Sequence, residues 1–143
     1  MSSYPVATSP DPLVLIFSPR HRFAGRAAVA LAELAEEPFV MPEATSLTRI
    51  LVERALREAG LTVRVGQQLH ETEPVKRAVE ANLGVAVVSA RAAAREIAAG
   101  HLATAPIEGL AFERQLEMIS LRGRRLQPLA LRFRQFTREF FAG

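Results

Sequence analysis

The 143 residues contain no cysteine. That excludes disulfides, thiol nucleophiles and zinc–thiolate centres, and it fits a reducing compartment. Tryptophan is also missing, and tyrosine, aspartate and lysine occur once each, as Tyr4, Asp11 and Lys76. Any carboxylate chemistry therefore falls to glutamate, and nearly all positive charge is arginine. No apolar run approaches the roughly 18 to 20 residues that a membrane helix needs. Leu13–Phe17 is too short for a signal-peptide core and has no basic flank before it, so the expected compartment is the cytoplasm, with no membrane partner.

Catalytic signatures are scarce too. Ser46, His21, His70 and Glu71 are the raw types for acyl transfer, yet there is no Gly-x-Ser-x-Gly elbow and no His–acid pair whose spacing fixes its role. His70 with Glu71 and Glu73 fails as a metal site, because neighbours on a strand point to opposite faces. A glycine-rich phosphate loop is absent. The expectation is a protein with no catalytic residue, no metal and no cofactor.

What is present suits one folded domain, or one lobe of something larger. Apolar residues make up 49% and charged residues 23%, enough core to order a chain of this length. The net charge of +3 is modest. Much of the arginine lies late, at Arg114, Arg122, Arg124, Arg125, Arg132, Arg134 and Arg138, and reads as a solvated face.

Residues 1–12, with three prolines, read as a flexible lead-in or an expression scar. Leu13–Phe17 is an unbroken apolar run and predicts a strand covered on both faces. A turn at Pro19–Arg22 follows, then a short helix within Ala27–Glu37, stopped by Pro38. Phe39–Met41 is apolar, and Leu47, Ile50, Leu51, Ala55, Leu56 and Ala59 recur at helical spacing up to Gly60. Val63 and Val65 mark a strand, and Thr72-Glu73-Pro74 opens a helix whose buried face is Val75, Ala78, Val79 and Leu83. Val85–Val88 is a buried strand, and Ser89 caps a helix over Ala90–Ala99. This strand–helix alternation predicts a largely parallel sheet. His101–Ile107 and Glu113–Leu121 read as strands, the second with Leu116, Met118 and Ile119 inward. Pro128 opens a last helix, striped by Leu129, Phe133, Phe136 and Phe140.

The turn from Pro42 to Arg49 is the candidate site. A strand running into a helix start leaves backbone N–H groups unpaired at the positive end of the helix dipole, which suits a small anion. Thr45, Ser46 and Thr48 supply hydroxyls that can cap the helix or donate to a ligand. Arg49 opposes the dipole: either a bound anion relieves the conflict, or Glu43 or Glu53 pairs with it. In an open parallel sheet, ligands sit beyond the carboxyl ends of strands. Thr45-Ser46, Thr72-Glu73 and Ser89 are the three helix starts there, read either as converging on a carboxylate, sulfate or phosphate or as plain caps.

The ordered set Leu13-Val14-Leu15-Ile16, Pro19-Arg20-His21, Leu34–Val40, Ser46-Leu47-Thr48-Arg49, Ala59-Gly60-Leu61, Glu73–Val79, Asn82–Ser89, Gly100-His101-Leu102 and Phe133-Arg134-Gln135-Phe136 resembles the effector-binding domain of LysR-type transcription regulators. The likeness covers about nine tenths of the chain. It implies an α/β fold: a Rossmann-like lobe of a type 2 periplasmic-binding-protein fold, with a mixed, mostly parallel sheet flanked by helices. Residues 13–143 would be a partial effector-binding domain. Residues of about 20–110 form its second lobe, 13–17 and 116–121 its hinge crossings, and 126–142 a C-terminal helix belonging to the first lobe. The implied function is sensing a small anionic effector in an interlobe cleft, with effector contacts from Thr45, Ser46, Thr48, Arg49, Thr72, Glu73 and Ser89. A stand-alone solute-binding protein of the same fold is the alternative, and it would need an export signal. The family usually has glycine where Thr45 stands, and the threonine methyl restricts how closely a ligand approaches the backbone. DNA contact is expected only through a helix-turn-helix domain outside this chain. With half of the first lobe missing, Leu13–Phe17 and the aromatic helix are expected to lack cover, and two copies to associate through them as a homodimer or domain-swapped dimer.

Overall fold

The computed structural model describes residues 2–142, so Met1 of the expected lead-in and Gly143 lie outside the described residues. In order the elements are β1 (Ser3–Phe17), α1 (Leu31–Ala35), β2 (Pro38–Met41), α2 (Leu47–Glu58), β3 (Arg64–Gln68), α3 (Thr72–Glu80), β4 (Ala86–Ser89), α4 (Ala90–Ala98), β5 (Ala103–Thr104), β6 (Phe112–Leu121) and α5 (Pro128–Ala142). Two compact units result. One is Pro12–Glu113; the other joins the terminal segments up to Asp11 and from Arg114.

Within Pro12–Glu113 the sheet is mixed, not mostly parallel. β2 and β3 pair in parallel, and an isolated parallel bridge from Phe39 to Val85 joins β2 to the chain entering β4. The rest of the sheet runs β4–β1–β5, with β1 antiparallel to both neighbours. β4 and β5 therefore run the same way, joined through α4, and β1 lies between them. The alternation from Phe39 to Ala99 signals the crossover correctly. It carries no sign that an earlier strand, tied to no helix at that end, occupies the slot between.

That placement gives Leu13–Phe17 its cover, contrary to the expectation that these residues lack it. Leu13, Leu15 and Phe17 enter one core with Phe23, Leu34, Phe39, Val52 and Leu56. Ile16 enters the other with Val75, Val79, Val88 and Leu102. Alternate side chains of one strand thus serve two cores, with α1 and α2 supplying the first and α3 and α4 the second.

Other expectations shift locally. α3 ends at Glu80, and Asn82 adopts a φ of 60°. That turn carries Leu83 out to solvent, at 50% exposure, so it is not part of the buried face. Gly84 matters for space instead. A Cβ there would lie 2.4 Å from the carbonyl oxygen of Pro38, and this close approach lets Val85 bond to the β2 backbone. β5 is only two residues long, not a strand over His101–Ile107.

In the terminal unit, the supposed lead-in is the first part of β1, because β6 pairs with β1 and holds it extended. Asp11 is buried against Arg114, with Nε 2.6 Å from the carboxylate. Leu116 and Ile119 of β6 are exposed, contrary to their predicted inward orientation. Thr137 is the buried residue of α5, while Leu129, Phe133, Phe136 and Phe140 face outward, the last three 62–66% exposed.

Candidate anion site

The site is built by strand order. β3 and β2 are parallel neighbours and β2 bridges in parallel to the β4 segment, so their carboxyl ends lie along one edge. Each strand is followed by a helix, which brings the starts of α2, α3 and α4 to that edge. Of the residues preceding them, Ser46 and Glu71 are extended, and none of Ser46, Glu71 and Ser89 makes a side-chain cap bond to its helix. The first helical bond at α2 is Ile50 N–H to the carbonyl of Ser46.

Arg49 does not depend on a bound anion to sit in the first turn. Its Nε donates to Glu53 at 2.7 Å, and Nη1 donates to the Pro42 carbonyl at 2.9 Å and to Gln68 Oε1 at 3.0 Å. The Glu53 alternative is therefore the one realised, one turn along the same helix face. Arg49 also stitches the ends of β2 and β3 to α2. A second link between these turns is Glu43 to His70, at 2.9 Å, and the imidazole holds the Glu43 carboxyl below its ordinary range.

The other expected residues divide. Thr45 is exposed and Ser46 half-buried on the turn, whereas Thr48 is buried. Thr72 is the first residue of α3 and is exposed, Glu71 preceding it as the cap position. Glu73 points to Lys76, 2.6 Å away. Ser89 is the last residue of β4, paired across the ladder with Leu13. The first turns of α2 and α4 hold no acidic residue; that of α3 holds Glu73. Anion seating is thus electrostatically easier at α2 and α4.

Sequence reasoning missed Lys76. Its side chain is 4% exposed, and Nζ contacts Glu73, Glu96 and the carbonyl of Ala92. Burial alone lowers the ammonium pKa, but its hydrogen bonds to the Glu73 and Glu96 carboxylates win and raise it; the Glu96 carboxyl is lowered by accepting from Lys76. Lys76 thereby ties α3 to α4, reaching the Ala92 carbonyl and the Glu96 carboxylate. The signal was there: one lysine on a face otherwise made of Val75, Ala78 and Val79. Among the described residues no cluster of potential metal ligands occurs, and no helix is long and apolar enough to cross a membrane.

Helix starts lined along one edge of a mixed sheet, with helices on both faces, define a fold of the periplasmic-binding-protein kind. The chain belongs to the LysR substrate binding domain family, which matches residues 6–142. It is 44% identical over 126 residues to the RuBisCO operon transcriptional regulator of Allochromatium vinosum, covering 88% of this chain and 42% of that protein. It is 36% identical over 107 residues to the HTH-type transcriptional regulator CbbR of Xanthobacter flavus, covering 74% and 32%. The chain therefore spans less than half the length of these relatives. Among solved structures, the Synechocystis CcmR regulatory domain in complex with 2-PG matches with a TM-score of 0.82 and 26% identity, over 98% of this chain and 66% of that one. The effector binding domain of QuiR, at 17% identity, shares the fold with a TM-score of 0.79, over 99% and 65%.

Proposed function

We propose that this chain is the effector-sensing portion of a LysR-type transcription regulator. Its ligand is a small anionic metabolite (a carboxylate, sulfate or phosphate) held at the starts of α2, α3 and α4. The observation that carries this reading is that three helix starts share one sheet edge, and the residues at their N-cap positions make no side-chain cap bond. Thr45 and Ser46 supply hydroxyls at α2, and Arg49 supplies a cation already fixed in place by Glu53, Pro42 and Gln68. Ser89 opens a second seat at α4. Thr48 acts from beneath the turn, and Thr72 and Glu73 border the ligand at α3. The named regulators among the relatives, and the CcmR domain's complex with 2-PG, support a sensor over a stand-alone solute-binding protein or an enzyme.

In this reading residues of about 20–110 correspond to the second lobe of an effector-binding domain. Residues 13–17 and 116–121 are its hinge crossings, and the 126–142 helix belongs to the first lobe. Effector binding biases lobe closure, and DNA contact falls to a helix-turn-helix outside these 143 residues. The test is a melting screen over sulfate, phosphate and small carboxylates, scored against each protein's own anion-free Tm. At least one anion raises the Tm of the native chain, and the double variant Ser46→Ala/Arg49→Ala abolishes the rise. Equal shifts in both proteins would move the site elsewhere.

A further inference from the structure

The ladder between β1 and β5 stops early, and the reason is Pro106. Ile16 pairs with Thr104 and Phe17 with Ala103. Continuing that antiparallel register would set Ala105 opposite Leu15 and Pro106 opposite Val14. Proline has no N–H to offer a ladder. The chain instead turns to Val29, whose N–H donates to the Pro106 carbonyl at 2.9 Å and whose carbonyl accepts from Glu108 N–H at 2.9 Å. It then reverses at Gly109, where φ is 69° and an L side chain would be strained, through an Ile107–Leu110 bridge. The flank of β1 at Leu13–Leu15 is left facing a gap where a longer β5 would have lain.

That gap is a cavity of about 310 Å³, walled by Leu13, Leu15, Ala105, Ile107, Leu110 and Phe112. All of it lies within the Pro12–Glu113 unit. Thr104 contributes the one polar side chain of the lining, and its hydroxyl already donates to the Leu15 carbonyl at 2.7 Å. No ionisable side chain lines the space. The space opens to solvent past Thr104, Pro106 and Ala111, and drug-like sites begin at about 300 Å³.

We infer that this gap beside β1 is a binding site for a compact, uncharged aromatic or branched aliphatic molecule, about the size of a bicyclic ring. Burial of apolar ligand surface drives occupancy, since the walls offer neither a charge nor an unengaged hydroxyl for a polar group. The site shares no lining residue with the anion seats at α2 and α3. It neighbours α4 through the Leu13–Ser89 ladder pair.

Indole is the probe, titrated into the whole 143-residue chain with methyl-labelled leucine, valine and isoleucine and followed by NMR. Saturable shifts at the methyls of Leu13, Leu15, Ile107 and Leu110 are expected. Ala111→Trp, at an exposed position on the rim, should weaken binding at least tenfold while keeping the native Tm. Ser46→Ala/Arg49→Ala should leave it unchanged, which separates this result from the fate of the anion site. The inference is overturned if those methyls do not shift, if the changes fall only on Leu129 and Leu131 of the exposed α5 face, or if a folded Ala111→Trp variant binds as tightly as the native chain. Should Ala111→Trp fail to fold, Leu110→Phe is read by the same criteria.

Discussion

The ammonium of Lys76 lies 2.8 Å from Glu96 Oε1, a bond that spans two helices and twenty positions of sequence. Both side chains are largely out of solvent, and the second oxygen of Glu96 is buried with no hydrogen-bond partner among the described residues. Removing one member of such a pair leaves an uncompensated buried charge, whereas removing both leaves none. Lys76→Met should therefore lower the melting temperature by on the order of 10 °C. Lys76→Met with Glu96→Leu should recover most of the loss. A double variant as unstable as the single one would show that the packing of the lysine stem, and not its charge, matters.

Gly84 sets the distance between β2 and the chain entering β4. Because a Cβ at this position would meet the Pro38 carbonyl oxygen at 2.4 Å, Gly84→Ala must push the strands apart. It should cost about 2–3 kcal/mol in urea unfolding. Gly100→Ala serves as the comparison, since a Cβ there meets nothing and only the positive φ is disturbed; its cost should be about 1 kcal/mol. Similar losses for the two would argue against the close-approach account.

Acid should weaken the fold in a defined window. Arg26 grips both oxygens of Glu33, at 2.8 and 2.9 Å, and the N–H of Ala30 donates to the same carboxylate. These bonds pull its pKa from 4.5 to about 2. For Glu37, burial works against ionisation, but hydrogen bonds from Arg22 and His21 still leave its pKa lowered. A depressed carboxylate pKa stabilises the folded state above the unfolded value, and the contribution is lost as protons bind. Stability should hold near neutrality and decline as pH falls from about 4.5 towards 2. Glu33→Gln should flatten that decline, and identical profiles for the two proteins would count against the Arg26 grip.

The aromatic face of α5 predicts self-association. Phe133, Phe136 and Phe140 are exposed along one helix side, with Phe136 and Phe140 ring centroids 5.9 Å apart. Exposed apolar surface of that kind seeks cover. Light scattering at tens of micromolar should give twice the chain mass, reduced to one chain by Phe136→Glu with Phe140→Glu. A single-chain mass for the native protein would remove this proposal.

The sequence was most readable where local pattern decides structure. α2 and α4 begin and end within a residue of where spacing, Ser46, Ser89 and the glycines place them, and the chemistry of helix ends is local. Long-range pairing was not readable. The periodicity of Leu13–Phe17 says that it is buried on both faces, but not which strands flank it. The partners of Arg49 show the same limit: Glu53 is visible at helical spacing, while Pro42 and Gln68 reach it only through the parallel register of β2 and β3. The three helix starts were legible as elements, and the lysine that joins two of these helices became meaningful only when Glu96 stood beside it.

The position of β1 also constrains how the protein comes into being. Leu15 and its bonding partner Thr104 are separated by 89 positions, so a growing polypeptide exposes this greasy segment well before its second neighbour emerges from the ribosome. Closing so long a loop is entropically costly, and a strand waiting for its slot is open to wrong neighbours. The Pro12–Glu113 sheet should therefore lock only after nearly all of it has been synthesised, and chaperone dependence during translation should concentrate on those first apolar residues.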